Sequence, residues 1–209
     1  MHPIIRMSTN TILDTVRQQL GADAIQQMSG ALGADPSATS SAISMALPAL
    51  IGGLARNASQ PQGAAALDQA LNAHDGSILD NLGGLLGGAG GAGGLGGGIG
   101  GAILGHILGA RRGPVEQGVG RASGLDAAQV AQLMAMLAPI VMGVLGRMKQ
   151  SKGLDANALP DVLGREREQA ERETPGLGGL FDANHDGNVM DDVIRMGGSA
   201  LGGIFGKKS

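Results

Sequence analysis

In two places the chain carries apolar residues at three- and four-residue spacing straight through a proline. The first run is Ala42, Ile43, Ala46, Leu47, Leu50, Ile51 and Leu54, with Pro48 inside it. The second is Val130, Leu133, Met134, Leu137, Val141, Val144, Leu145 and Met148, with Pro139 inside it. That spacing predicts a helix with one buried face in each place. The two runs align without a gap at a single offset. It superimposes Gly33 on Gly124, Asp35 on Asp126, Pro48 on Pro139, Gly52 on Gly143, Leu54 on Leu145 and Arg56 on Arg147. We read this as an internal duplication of one helical unit. Each aspartate suits a helix N-cap. Each proline removes a backbone donor and crowds the preceding turn, so each helix is predicted to kink or break there. The glycine four residues later is predicted to admit another backbone at the bend.

Shorter elements surround these two. Ile12, Leu13, Val16 and Leu20 predict an amphipathic helix from about Thr9 to a stop at Gly21. Ile25, Met28 and Leu32 predict a second over Ala22 to Leu32, and Pro61 restarts the chain into a helix containing Leu67 and Leu71. Ile99, Ile103, Leu104, Ile107 and Leu108 give a helical run closed by a positive turn, Arg111-Arg112-Gly113-Pro114, with a short helix from Val115 to Ser123. Gly153 ends the second long helix. Beyond it Leu154, Leu159, Val162 and Leu163 lead into Arg165-Glu166-Arg167-Glu168-Gln169-Ala170-Glu171-Arg172-Glu173, which reads as a solvated helix face.

More than half of the residues from Gly83 to Gly109 are glycine. Glycine costs about 1 kcal/mol per helical residue relative to alanine, so residues 87–98 read as a linker. The expected organisation is therefore an N-terminal helical repeat unit (1–86), the glycine-rich linker (87–98), a second repeat unit with the charged helix (99–174) and a C-terminal tail (175–209). Gly96, Gly98 and Gly101 match a dinucleotide fingerprint literally, but no strand precedes them and glycine saturation produces the match. With 39 glycines, 2 phenylalanines and neither tryptophan nor tyrosine, the core must be built from Leu, Ile, Val, Ala and Met. Stacking platforms for nucleic-acid bases are missing, and a net charge of −3 gives no attraction to phosphate backbones, so no nucleic acid is expected as a partner. Cysteine is absent and Met1 to Met7 contains no apolar leader, which we read as a cytoplasmic protein.

Leu32-Gly33-Ala34-Asp35-Pro36 with Leu47-Pro48, and Ala122-Ser123-Gly124-Leu125-Asp126 with Leu137-Ala138-Pro139-Ile140-Val141-Met142-Gly143, resemble the YidB-like family of bacterial proteins, a domain of unknown function. The resemblance runs from about residue 8 to the end and implies an all-α fold. It carries over no catalytic residue.

One stretch has the pattern of a metal site. Asp182, Asn184 and Asp186 place oxygens on alternate residues, Gly187 allows a sharp turn, and the Asn188 carbonyl is the next ligand of a calcium loop. Position twelve is Val193 instead of glutamate, so Asp191 or Asp192 would have to close a shortened loop. An ordinary capped turn is the alternative. Catalytic signatures are lacking: no HExxH, GxSxG or GxxxxGK[ST] occurs, and His2, His74, His106 and His185 are scattered. The sequence thus reads as a non-catalytic, self-associating helical scaffold with a calcium-responsive tail. A homo-oligomer is expected because Leu85, Leu86, Leu95 and Ile99 lie on a glycine-rich strip. A membrane-associated glycine-zipper protein is the alternative, and an enzyme of unfamiliar class the second.

Overall fold

The computed structural model of the 209-residue chain describes residues 11–73, 79, 98 and 100–173. Both phenylalanines, Phe181 and Phe205, and the whole calcium-loop pattern lie outside those residues. The described elements are α1 (Ile12–Gln19), α2 (Ala22–Leu32), α3 (Pro36–Ala58), α4 (Pro61–Ala73), α5 (Gly100–Leu108), a 3-10 turn (Gly109–Arg111), α6 (Arg112–Ser123), α7 (Ala127–Lys152) and α8 (Leu159–Glu173). The fold is all-α, with no strand among the described residues. Residues up to Ala170 belong to one compact unit, and Glu171 begins a second.

The same local chemistry starts both long helices. Gly33 ends α2 in the left-handed region (φ 60°), and Gly124 ends α6 likewise (φ 80°). A residue with a Cβ is strained there, whereas glycine is not. Two residues on, the Asp35 carboxylate accepts from the Ser37 N–H at 2.8 Å, and the Asp126 carboxylate accepts from the Gln129 N–H at 2.8 Å. The Gln129 side chain returns a bond to the Asp126 N–H, completing a capping box. Gly153 closes α7 with φ 61°.

Neither proline ends its helix. α3 is helical through Pro48 and α7 through Pro139. Burial explains why α7 does not break at its proline. Pro139 is enclosed, and every residue of α7 from Leu133 to Gly146 is buried. Surrounding helices hold the turn that proline weakens, so tertiary packing overrides the local cost.

α7 is the axis of the unit. It packs against α1, α2, α3, α4, α5 and α6. α3, the other long helix, packs against α2, α4, α5 and α6 as well as α7. Each short helix that precedes a long one therefore also touches the opposite long helix. The interior is aliphatic, with Met28, Leu47, Leu50, Ile51, Leu104, Leu133, Met134 and Met136 fully enclosed. The turn expected at Arg111 to Pro114 is instead the start of a helix. α6 begins at Arg112, whose Nε donates to Glu116 one turn on at 2.6 Å.

The close backbone approach falls one residue away from the expected place. A Cβ on Gly52 would meet nothing within 4 Å. A Cβ on Gly53 would lie 2.8 Å from Ile107 Cγ2 and 2.9 Å from the Ile107 carbonyl oxygen, because α5 crosses α3 at that point. The neighbouring glycines should therefore respond oppositely in urea denaturation. Gly53→Ala is expected to cost about 1–3 kcal/mol through overpacking. Gly52→Ala is expected to be neutral or to stabilise by up to about 1 kcal/mol through helix propensity.

Candidate functional site

The polar side chains of the unit work mainly at helix ends. Asn57, in the last turn of α3, donates from Nδ2 to the terminal carbonyls of α5, His106 and Ile107. Gln129 Nε2 donates to the Leu32 carbonyl at the end of α2, at 3.2 Å. Lys149 of α7 lies 2.8 Å from Asp68 Oδ1 of α4 and also bonds Asn72 Oδ1. Terminal carbonyls lack intrahelical donors, and Asn57 and Gln129 supply them, while Lys149 ties α7 to α4 side chains.

Glu166 departs from the solvated face expected for its charge run. Its Oε2 accepts from the Ile12 N–H at 2.8 Å, so α8 caps α1 across the unit. Burial raises the Glu166 pKa above the ordinary glutamate value, against bonds from the Ile12 and Leu13 N–H groups and the charge of Lys152, which lower it; the charge of Asp14 also raises it. Asp35 and Asp155 move the other way. The Ser37 side chain and backbone N–H lower Asp35, and the Ala158 N–H lowers Asp155.

The end of α7 and the flank of α1 enclose a cleft of about 270 Å³. Val144, Met148 and Leu79 give it apolar lining, and Thr15, Gln19, Ser151, Arg147 and Lys152 supply polar groups. Such a lining suits an apolar group that ends in an acceptor or an anion. It holds no acid–base or nucleophile–base pair. Among the described residues no three His, Cys, Asp or Glu side chains gather as metal ligands. Asp182, Asn184, Asp186, Asn188, Asp191 and Asp192 lie outside them.

The family model DUF937, described as a bacterial protein of unknown function, matches residues 14–148. The chain belongs to DUF937. YidB is also a member, which agrees with the resemblance read from the sequence. No curated protein and no solved structure matches this DUF937 chain. The DUF937 match runs from within α1 to the last turns of α7 and takes in both capped long helices. It includes Val144, Arg147 and Met148 of the cleft but stops short of Ser151, Lys152 and Glu166.

Sequence reasoning identified none of the cleft as a unit, because its walls come from opposite ends of the matched region. Glu166 was hidden for a similar reason. Its partner is 154 residues away, and only the hydrophobic spacing of Leu159 and Leu163 marked that side of α8 as inward.

A carboxylic acid whose folded pKa is raised contributes stability below its unfolded pKa. That contribution is lost as pH rises through the folded value. Glu166→Gln keeps an acceptor for Ile12 without a charge. The variant is expected to gain thermal stability relative to wild type as pH rises from about 4 to 7. Glu166→Ala removes the acceptor of the Ile12 N–H, although Thr11 Oγ1 still caps the Asp14 N–H, and is expected to cost about 1–2 kcal/mol. Melting curves of the three proteins across that pH range check both outcomes.

Proposed function

We propose that the chain is a non-catalytic, self-associating helical scaffold whose C-terminal tail responds to calcium. The observation that carries the self-association is the outer face of α5. Ala102 and Gly105 on α5, with Gly98 before the helix and Gly109 just after it, are all exposed. A Cβ on Gly98, Gly105 or Gly109 would enter open space. The opposite side of α5, with Leu104, Ile107 and Leu108, is buried. A face of small residues lets a second helix come within about 8 Å, at the short end of helix packing distances. Its uncharged character favours a second copy of the same face. The structural use of Asn57, Gln129, Lys149 and Glu166 also supports a scaffold, since these polar groups hold helices together instead of pointing at a substrate. In this reading the protein works in the cytoplasm.

Sedimentation of the wild type is expected to give a species larger than the 20.8 kDa chain. Gly105→Glu places a long charged side chain on the open face without crowding its own unit, and is expected to shift the population to monomer. A wild type that sediments as monomer at micromolar concentration would overturn the reading.

The calcium response rests on the spacing of Asp182, Asn184, Asp186, the Asn188 carbonyl and Asp191 or Asp192. Without a glutamate at position twelve the affinity expected is weak, roughly 10⁻⁵ to 10⁻³ M. Binding should order the loop and raise thermal stability, because ligand binding and local folding are linked. Calorimetric titration of the wild type beside Asp186→Ala checks this. Equal heats would reduce the stretch to a capped turn.

A further inference from the structure

Both long helices carry more than a buried stripe requires. From Pro36 to Ala55 in α3, and from Ala127 to Gly146 in α7, there is no Asp, Glu, Lys or Arg. About 20 helical residues cover about 30 Å, the thickness of a bilayer's hydrocarbon layer. Each run has the same borders: Asp35 or Asp126 immediately before it, and Arg56 or Arg147 immediately after. α1, α2, α4, α6 and α8 all carry acidic or basic residues within themselves.

Service as core helices accounts for only part of this. The most apolar window of α7 is 78% buried, but that of α3 is only 61% buried. Ser40, Ser41 and Ser44 of α3 are exposed, and a helix that only ever met water would be free to carry lysine or glutamate there. Two of these hydroxyls bond inside their own helix. Ser41 Oγ donates to the Ser37 carbonyl at 2.9 Å, and Ser44 Oγ donates to the Ser40 carbonyl at 3.0 Å. Thr39 Oγ1 does the same with the Asp35 carbonyl. A hydroxyl satisfied by its own backbone takes its partner with it into lipid, where unpaired polar groups cost most.

We propose that α3 and α7 are a latent pair of membrane-spanning segments, held in water by the shorter helices and able to enter a lipid bilayer. Their apolar surface is out of water in both states, since lipid tails are as apolar as the leucines around them. The exchange therefore turns on small differences and not on the whole hydrophobic term. Arg56 and Arg147 would reach the headgroups with their stems along the helix. The released short helices would lie in the interface, apolar face down. This inference is independent of the α5 face and of the glycine-rich tract.

The test is flotation of the full chain with vesicles of phosphatidylglycerol and phosphatidylethanolamine, after a carbonate wash that strips adsorbed protein. Wild type is expected to float, with a protease-protected fragment containing α3. Ser44→Lys puts a charge near the middle of the run at a site exposed in water, so its melting in solution should match wild type while carbonate-resistant flotation falls at least tenfold. Ser41→Lys, also exposed, should behave in the same way and decides the matter if Ser44→Lys proves unstable. Gln69→Lys on the exposed side of α4 adds the same charge elsewhere and should float as wild type does. Wild type remaining at the bottom of the gradient overturns the inference. So does flotation of Ser44→Lys at the wild-type level, which would assign binding to the glycine-rich tract. Sedimentation of Ser44→Lys without vesicles should keep the wild-type assembly size, which separates this result from the fate of the α5 face.

Discussion

A helix enclosed on every side over several turns cannot exist in water by itself, and α7 is such a helix. From Leu133 to Gly146 it has no face left for solvent. Burial of apolar surface is the main force available, and it requires neighbours all round. The rest of the unit follows from that need. α1, α2, α4, α5 and α6 each cover one side of α7, α3 or both, and all but α5, whose outer face carries small residues, present polar residues outward. The absence of aromatic residues from the described core makes the requirement stricter. Leu, Ile, Val, Met and Ala fill less space per residue, so the helices must come close. Gly53 against Ile107 is one place where they do.

Close approach creates a second demand, which the polar side chains meet. Short helices leave many terminal carbonyls near the core, and each needs a donor. Asn57 serves α5, and Gln129 serves α2 while also completing its own capping box. Lys149 is neutralised by Asp68. Glu166 solves the converse problem at the start of α1, supplying an acceptor to free N–H groups and giving up some hydration of its own charge.

Local features were legible in the sequence where local chemistry decides them. The bounds of α2, the Asp35 and Asp126 caps and the Gly153 stop all depend on residues within a few positions. The all-α class and the DUF937 kinship followed from the same stretches. Features set by what lies across the core were not legible. Gly52 and Gly53 look alike along the chain, and only the crossing of α5 distinguishes them. Pro48 and Pro139 read as kinks or breaks because their local cost is visible, and the packing that keeps both helices unbroken is not. Glu166 sits among charges that do face water. The cleft at Arg147, Met148 and Thr15 joins residues that no spacing rule links.

The dependence of both long helices on partners from either side of the glycine-rich stretch has a consequence for synthesis. α3 leaves the ribosome well before α7, and at about 5–20 residues per second the wait is on the order of 5–20 s. Throughout that interval the apolar face formed by Leu47, Leu50, Ile51 and Leu54 lacks the surface that later covers it. The nascent chain must be shielded by α2 and α4 alone, by a chaperone, or by a nearby lipid surface. The order of elements along the chain thus gives α3 its most exposed moment at birth.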